Sequence, residues 1–542
     1  MIVSELVGRA LAELGVGHAF GVVGSGNFHV TNALREAGVP FTATRHEGGA
    51  ATMADAFARM SGRPAVLSVH QGCGLTNGLT GITEAAKSGT PLIVLAADTA
   101  GSAVRSNFRI DQDALVTAVG AVAERVHSPE SALVDTVRAY RTAAEQRRTV
   151  VLNLPLDVQA AAAEPAPLPA LPPVAPPRAS AEGIAALAGL LDAAERPVFV
   201  AGRGALGARE ELRALAEASG ALLATSAVAS GLFHDDPWSL GISGGFASPL
   251  AVELIAGADL VVAWGCALTM WTTRHGRLIG ERARVVQVDL DVDALGAHRP
   301  VDLGVVGDVA ATAGDLRELL GAGHRTGYRT PEVRAAIVER VRLRDVPYTD
   351  LTGPEGIDPR TLTIALDDLL PQERVVAVDS GNFMGYPAGY LRVPDEYGFC
   401  FTQGFQSVGL GLATAVGAAL ARPDRLAVAA LGDGGALMGA AELDTVARLG
   451  IPMVVVVYDD RAYGAEVHHF TDADHTTVRF PETDIAAIGR GYGLDALTVR
   501  CPADLEGVAD WLAGPRSRAL LVDAKIASDG GSWWLQEAFR GH

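Results

Sequence analysis

The chain has 542 residues, of which 49% are hydrophobic, and carries a formal net charge of −19. One core rarely serves such a length, so we expect roughly two to four domains. The negative charge argues against nucleic-acid and anionic-membrane partners. The four cysteines lack C-x-x-C spacing, which argues against a disulfide framework or zinc site and fits a reducing cytoplasm. No apolar run approaches the roughly 20 residues that cross a bilayer. A cytoplasmic small-molecule enzyme is therefore favoured.

The first part of the chain alternates helical segments with short apolar strands. The opening segment, MIVSELVGRALAELGVGHAF, has charged residues at helical intervals and predicts an amphipathic helix rather than a signal peptide. The predicted strands after it are HAFGVV, RPAVLSVH, TPLIVLAAD and TVVLNLPL. This alternation predicts a parallel sheet covered by helices on both faces, over residues 1–163.

A proline-rich segment separates this domain from the next. Residues 164–182 begin with EPAPLPALPPVAPPRAS, whose prolines predict a stiff linker. A second αβ run covers 183–325, a connector covers 326–357, and a third αβ run covers 358–542. The predicted fold class is α/β, with three doubly wound parallel-sheet domains.

The third domain places carboxylates at the ends of two predicted strands. In RLAVAALGDGG the strand ends at Gly432-Asp433-Gly434-Gly435, and ALMGAAELDTVARLG has helical spacing, so Asp433 is predicted where the strand leads into a helix. The next strand, PMVVVVY, leads to Asp459 and Asp460. Open α/β sheets bind ligands at the carboxyl ends of their strands. Glycines there let backbone N–H groups approach an anion, and Mg²⁺ takes carboxylate and phosphate oxygens together. The pattern predicts a diphosphate bridged by Mg²⁺, with a helix cap and a turn as the alternative.

These residues resemble the thiamine diphosphate (ThDP) motif, in which G-D-G is followed, one helix and one strand later, by an asparagine pair. The resemblance implies that Asp433, Asp460 and the backbone carbonyl of Ala462 bind Mg²⁺. Asp459-Asp460 replaces the usual Asn-Asn and adds negative charge beside the diphosphate. The same resemblance assigns cofactor contacts to Gly381, Asn382, Val408, Gly434, Gly435 and Tyr463.

A second element resembles the part of ThDP enzymes that activates the aminopyrimidine ring of the cofactor. In TATRHEGGAATMADAFARMSGRPAV, Glu47 stands where the family has a glutamate that hydrogen-bonds a pyrimidine nitrogen. The alternative is a charge favoured by a helix N-terminus. The resemblance covers almost the whole chain and points to the acetolactate synthase, pyruvate oxidase and benzoylformate decarboxylase group. It implies a homodimer or homotetramer, with the Glu47 domain of one subunit facing the diphosphate domain of another.

Further matches indicate acid–base and substrate groups. His70 in LSVHQGCG and Ser25 in VVGSGN resemble the active-site histidine and substrate-binding serine of benzoylformate decarboxylase. Glu466 in YGAEVHHF resembles the glutamate of pyruvate decarboxylases, His469 lies near it, and Gln112 in FRIDQDAL is a predicted pocket residue. A strand-end cap for His70 and a solvated helix position for Glu466 are the alternatives.

The central domain contains a G-x-G-x-x-G at Gly202, Gly204 and Gly207, which on its own suggests dinucleotide binding. No acidic residue ends the next strand, ALLATSAV, and this argues against a nicotinamide cofactor. The FAD-binding segment of acetolactate synthases appears here as GCALTMWTTR, without its first arginine and both aspartates. FAD stays an open alternative and is not assumed.

The sequence thus predicts a ThDP- and Mg²⁺-dependent C–C lyase or ligase acting on a 2-oxo acid, by decarboxylation, carboligation or both. The alternatives are an acyl-CoA lyase of the oxalyl-CoA decarboxylase type, a non-catalytic scaffold protein, and an NAD-dependent dehydrogenase. The C-terminal segment GGSWWLQEAFRGH, Gly530 to His542, is expected to pack over the active-site mouth or a subunit interface.

Overall fold

Each of three α/β units is built on one six-stranded sheet whose paired strands are all parallel. The structure is a computed structural model that describes residues 1–321, 323–530 and 533–538. Its strands are β1 Ala19–Gly21, β2 Phe41–Ala43, β3 Ala65–Val69, β4 Leu92–Asp98, β5 Val122–Arg125, β6 Thr149–Pro155, β7 Pro197–Ala201, β8 Leu222–Thr225, β9 Ser239–Ile242, β10 Leu260–Trp264, β11 Arg284–Asp289, β12 Leu303–Val306, β13 Arg374–Val378, β14 Phe399–Phe401, β15 Leu426–Gly432, β16 Met453–Asp459, β17 Asp495–Val499 and β18 Leu520–Lys525.

The strand orders are β2-β1-β3-β4-β6-β5, β12-β11-β10-β7-β8-β9 and β14-β13-β15-β16-β18-β17. The central strands of each sheet are buried along their whole length, as expected for parallel strands covered on both faces. The second sheet has the strand order of the doubly wound dinucleotide-binding fold. The predicted α/β class with three parallel-sheet units is confirmed.

Helices cover both faces of the sheets. No helix in the described ranges is long and apolar enough to span a membrane. The helices are α1 Val3–Glu13, α2 Phe28–Glu36, α3 Glu47–Ser61, α4 Cys73–Lys87, α5 Gln112–Ala118, α6 Ala132–Gln146, α7 Leu156–Ala160, α8 Ala181–Ala193, α9 Arg209–Ser219, α10 Pro249–Ala256, α11 Met270–Thr273, α12 Val309–Leu320, α13 Pro331–Arg340, α14 Pro359–Leu369, α15 Gly385–Tyr390, α16 Gly411–Ala421, α17 Asp433–Met438, α18 Leu443–Leu449, α19 Gly464–His469, α20 Ile485–Gly491, α21 Glu506–Ala513 and α22 Trp533–Ala538.

The two predicted connectors differ in structure. Residues 164–180 contain neither helix nor strand, and α8 begins at Ala181 inside the predicted linker. The connector predicted over 326–357, by contrast, contains α13. The side chain of Thr330 caps this helix by accepting from the Val333 N–H, and Pro331 occupies its first turn. The cap and the proline in RTPEV were the signals that the sequence interpretation missed.

A buried ionic cluster joins the first unit to the third. The Arg59 guanidinium pairs with Asp55 at 2.7 Å and with Glu84 at 2.8 Å, and these side chains are at most 8% exposed. Arg59 also donates to the Phe401 carbonyl at 3.0 Å, and Glu84 accepts from the Phe405 N–H at 2.6 Å. The cluster therefore fixes the segment of the third unit that leads to the predicted cofactor residue Val408.

Replacing Arg59 by Leu leaves two buried carboxylates without their cation, which typically costs about 3–5 kcal/mol. We expect a clear fall in the unfolding midpoint measured by scanning calorimetry. Arg141→Ala is the control because it breaks only the exposed pair with Glu145 on α6, and such surface ion pairs contribute little to stability. Equal shifts in the two variants would show that the cluster does not stabilise the junction.

Candidate active site

The two predicted metal-binding carboxylates follow adjacent strands. β15 and β16 pair in register up to Gly432 and Tyr458, so the turns after them open at the same edge of the sheet. Asp433 begins α17 and is buried, and Asp460 stands one residue beyond the end of β16. The Ala462 N–H donates to Asp460 at 3.1 Å and closes the turn.

Among the described residues, neither of these carboxylates forms an ion pair. Burial, then repulsion from Asp460 and Asp459, raises the pKa of Asp433 to about 8. Burial, then repulsion from Asp459, raises the pKa of Asp460 to about 7. In the described part of the chain, no group of three or more His, Cys, Asp or Glu side chains could hold a metal. Two carboxylates suit a divalent cation that takes its other ligands from backbone and phosphate oxygens.

Glycines allow neighbouring segments to pack closely around these carboxylates. A Cβ at Gly464 would lie 2.2 Å from Asp460 Oδ2 and 3.1 Å from Asn382 Cβ. A Cβ at Gly434 would lie 3.0 Å from the ring of Tyr463. The structure thus brings the predicted residues Asn382, Gly434 and Tyr463 together around Asp460.

Asp379, which the sequence analysis missed, positions the loop that carries Val408. Its buried carboxylate accepts from the N–H groups of Gly409 at 3.0 Å and Leu410 at 3.3 Å. A Cβ at Gly435 would lie 2.2 Å from Asp379 Oδ2 and 3.4 Å from Val408 Cγ1. Burial raises the pKa of Asp379 to about 6. An acidic residue directly after an apolar strand was the available signal.

The two aspartates after Tyr458 differ in their partners. Asp459 is buried, forms an ion pair with Lys525 Nζ through Oδ2, and accepts from the Arg461 N–H at 3.0 Å through Oδ1. Lys525 also donates to the Thr483 carbonyl at 2.7 Å. Asp459 is thus neutralised inside the protein, whereas Asp460 is placed beside Asp433. A lysine in the otherwise apolar and acidic strand LLVDAK was the signal for this pair.

The described part of the C-terminal segment packs on the loop after β13. Gly381 has φ +146, and Asn382 after it accepts from Trp534 Nε1 through its carbonyl at 2.9 Å. Trp533 stacks on the guanidinium of Arg274 in the central unit at 4.4 Å. Helix α22 therefore ties the central unit to the loop after β13. The rest of the predicted C-terminal cover, Gly531, Ser532 and residues 539–542, lies outside the described residues.

In the first unit, Ser25 and His70 lie together. Ser25 Oγ is 3.4 Å from His70 Nε2, and His70 Nδ1 is 3.2 Å from the Gln71 carbonyl. Because a carbonyl only accepts, Nδ1 carries the hydrogen in that contact, and Nε2 of the neutral ring is a proton acceptor. A Cβ at Gly24 would lie 2.5 Å from the His70 ring, so the close approach needs this glycine.

Glu47 begins α3 and is buried beside the same pair. Its Oε2 accepts from Asn77 Nδ2 at 3.1 Å. A Cβ at Gly74 would lie 3.2 Å from His70 Cβ and 3.5 Å from Glu47 Oε1, so Gly74 lies between the two side chains. Within the described chain, neither Glu47 nor His70 hydrogen-bonds the third unit.

The turn before Glu47 is held by the third unit. The buried carboxylate of Glu442, on the segment after α17, accepts from the N–H groups of Arg45 at 3.2 Å and His46 at 3.0 Å. A Cβ at Gly49 would lie 2.4 Å from Glu442 Oε1. The helix of Asp433 and the helix of Glu47 are therefore linked within one chain.

The remaining predicted residues differ in exposure. Gln112 is buried, with Nε2 donating to Ala97 and Asn153 and Oε1 accepting from the Gly72 N–H at 2.9 Å. It therefore braces the turn between His70 and α4 rather than presenting a free amide. Glu466 is exposed on α19, and His469 contacts the ring of Phe470.

Family models match all three units. The N-terminal binding domain of the thiamine pyrophosphate enzymes matches residues 1–115, their central domain matches 184–316, and their C-terminal binding domain matches 379–523. The chain belongs to the thiamine pyrophosphate enzyme family. Thiamine pyrophosphate and ThDP are two names for one compound. The cofactor of the chain is therefore ThDP, and the metal that usually accompanies it in this family is Mg²⁺.

Curated relatives span several activities. The chain is 31% identical to a probable 2-ketoarginine decarboxylase of Pseudomonas aeruginosa, over 92% of this chain and 89% of that protein. It is 29% identical to a sulfoacetaldehyde acetyltransferase of Castellaniella defragrans, over 92% and 88%. It is 28% identical to a probable acetolactate synthase large subunit of Methanocaldococcus jannaschii, over 93% and 88%.

In this ThDP enzyme the central G-x-G-x-x-G has a packing role. The Gly202 N–H donates to the Trp264 carbonyl at 2.9 Å, and the Gly204 N–H donates to the Gly265 carbonyl at 3.0 Å. A Cβ at Gly202 would lie 2.3 Å from the carbonyl oxygen of Gly265. Strand β8 ends at Thr225 without an acidic residue for a ribose. These glycines are explained without a dinucleotide.

The raised pKa values predict proton-linked metal binding. The folded pKa values of Asp433 and Asp460 exceed those of the unfolded chain, so the metal-free protein loses stability as pH rises from about 4 to about 8. A metal held by these two carboxylates would need both ionised, so its binding would release protons. We expect Mg²⁺ affinity, measured with ThDP present, to increase between about pH 6 and pH 8. Calorimetry in buffers of different ionisation enthalpy measures the release, and a pH-independent affinity would contradict the prediction.

Proposed function

We propose that this protein is a ThDP- and Mg²⁺-dependent enzyme that cleaves the C–C bond beside the carbonyl of a 2-oxo acid, with or without transfer of the acyl group to a second carbonyl compound. The observation that carries the proposal is the pair of carboxylates, buried Asp433 and half-buried Asp460, at the ends of adjacent strands and beside closely packed glycines. Such an arrangement suits a cation that bridges the protein to a diphosphate.

When bound, ThDP supplies a carbon nucleophile and then accepts the electrons of the broken bond. Asp433, Asp460 and the Ala462 carbonyl would hold Mg²⁺, and the backbone around Gly434 and Gly435 would face the diphosphate. Glu47 would hydrogen-bond the pyrimidine ring. Its Oε2 already accepts from Asn77, which leaves Oε1 facing Gly74 for that contact.

Proton transfer would fall to groups on both units. His70 donates from Nδ1 to a fixed carbonyl, so Nε2 can take a proton from the substrate and return it, with Ser25 beside it to orient the substrate. On the third unit, Glu466 and His469 are the candidates, because α19 directly follows the loop that carries Asp460 and Ala462. This loop, residues 460–463, is called the metal loop below. Gln112 would act indirectly, by bracing the turn after His70.

A homodimer, or a tetramer of such dimers, would complete the site. Glu47 and the metal loop share no hydrogen bond within the described chain. Large apolar side chains are exposed around both halves of the site, which favours cover by a second copy. These side chains are Val23, Phe28, Phe108, Val408, Met438, Tyr463 and Phe480.

A cytoplasmic location is part of the proposal, because all four cysteines are unpaired. The names of the relatives suggest a screen of 2-oxo acids that includes 2-ketoarginine, with sulfoacetaldehyde as a further substrate. Release of CO₂ would be followed for the 2-oxo acids, and loss of the aldehyde for sulfoacetaldehyde.

The role of Asp433 in binding ThDP and Mg²⁺ is tested by calorimetric titration of metal-free protein with ThDP plus Mg²⁺. We expect saturable binding to the wild type and its loss in Asp433→Ala, because that variant removes one of the two carboxylates that hold the cation. Asp444→Ala is the matched control, since Asp444 lies on the exposed side of α18 and pairs with Arg45. The absence of binding to the wild type would overturn the proposal.

The shared site is tested by complementation. Glu47→Gln and Asp433→Ala, each expected to be inactive alone, are co-expressed with different tags in equal amounts. In a mixed dimer one site carries both substitutions and the other is intact, so random pairing gives about a quarter of the wild-type activity. No recovery from a purified mixed dimer would show that each site is built from one chain.

A further inference from the structure

Lys525 is a buried cation next to the metal loop, and the proposed reaction gives it no role. Its Nζ forms an ion pair with Asp459, lies 3.0 Å from Asp523 Oδ1 and donates to the Thr483 carbonyl at 2.7 Å. The side chains of Lys525, Asp459 and Asp523 are 4%, 1% and 0% exposed. The ammonium group is therefore enclosed and has no access to a substrate.

The strand register explains why this lysine meets this aspartate. β16 and β18 are parallel neighbours, and Asp459 pairs with Lys525 in their register. The Ile526 N–H donates to the Asp459 carbonyl at 3.0 Å just beyond the pair. The contact is thus set by the sheet and not by a mobile loop.

Through its second carboxylate oxygen, Asp459 also holds the metal loop in place. While one carboxylate oxygen faces Lys525, the other accepts from the Arg461 N–H at 3.0 Å. Arg461 has φ +59, a left-handed conformation that costs free energy in a residue with a side chain. The hydrogen bond from Arg461 offsets that cost and holds the turn that places Asp460 near Asp433.

The positive charge of Lys525 is also needed to balance the negative charge of Asp459. Asp459 is next to Asp460 and repels both Asp433 and Asp460. A third uncompensated carboxylate in this buried region would have to be balanced by the same cation that the two ligands hold. Lys525 supplies that balance from the opposite side of Asp459.

We propose that Lys525 is a positioning residue for the Mg²⁺ site: it balances Asp459 and fixes the turn through which Asp460 and Ala462 reach the metal, so that an aspartate can stand where the family usually has an asparagine. This inference rests on the proposed function, because it assumes that Asp433 and Asp460 bind Mg²⁺ together with ThDP.

The test measures Mg²⁺ affinity by calorimetry at saturating ThDP in the wild type, Lys525→Met, Asp459→Asn and the double variant. Removing a residue that orients a metal ligand typically lowers affinity roughly 10–100-fold, which is the loss expected for Lys525→Met. Asp459→Asn is also expected to lose affinity, because its single amide oxygen cannot accept from both Lys525 and the Arg461 N–H, and its NH₂ group would face the ammonium as donor against donor. The double variant is expected to recover most of the loss, because it removes the unbalanced charge.

Each outcome decides between the two proposals. If the wild type does not bind, the proposed function fails. If the wild type and Lys525→Met bind equally while the melting temperature of the metal-free variant falls, Lys525 only stabilises the fold and this inference fails. Should Lys525→Met not fold, the double variant decides: folding with near-native Mg²⁺ affinity supports the inference, and loss of folding or affinity overturns it.

Discussion

The parallel pairing of β15 with β16 is the constraint on which the site depends. Because both strands run in the same direction and pair up to Gly432 and Tyr458, the turns that follow them must leave the sheet at one edge. Antiparallel neighbours would send Asp433 and Asp460 to opposite ends. The pairing is itself enforced by burial, since both strands are apolar and covered on both faces.

The edge created in this way concentrates negative charge. Asp433, Asp459 and Asp460 repel one another there, and Lys525 contacts Asp459 together with a fourth aspartate, Asp523. Charges removed from water need partners, so this arrangement carries a free-energy cost that a bound divalent cation would relieve. The repulsion that destabilises the carboxylates on their own would therefore strengthen the affinity for a metal.

Local patterns in the sequence pointed to Asp433, Asp460 and Glu47 as candidate cofactor and metal residues, because each stands at a strand–helix turn whose neighbours are close in sequence. The residues that support them come from far away. Lys525 is 66 positions from Asp459, and Glu442 is 396 positions from His46. No short pattern records such pairings, because the topology of the sheets and the packing of the units bring them together. Gln112 was found from its motif, but its role depended on three buried partners that only the fold reveals.

The contact of Glu442 with the turn before Glu47 limits which substitutions can be accepted at positions 49 and 442. While Glu442 is present, its carboxylate occupies the space next to Gly49, and no residue with a side chain can replace that glycine without moving it. If Glu442 were lost first, the N–H groups of Arg45 and His46 would lose their acceptor. Positions 49 and 442 therefore form an epistatic pair, in which a substitution at one is tolerated only on the background of a matching change at the other.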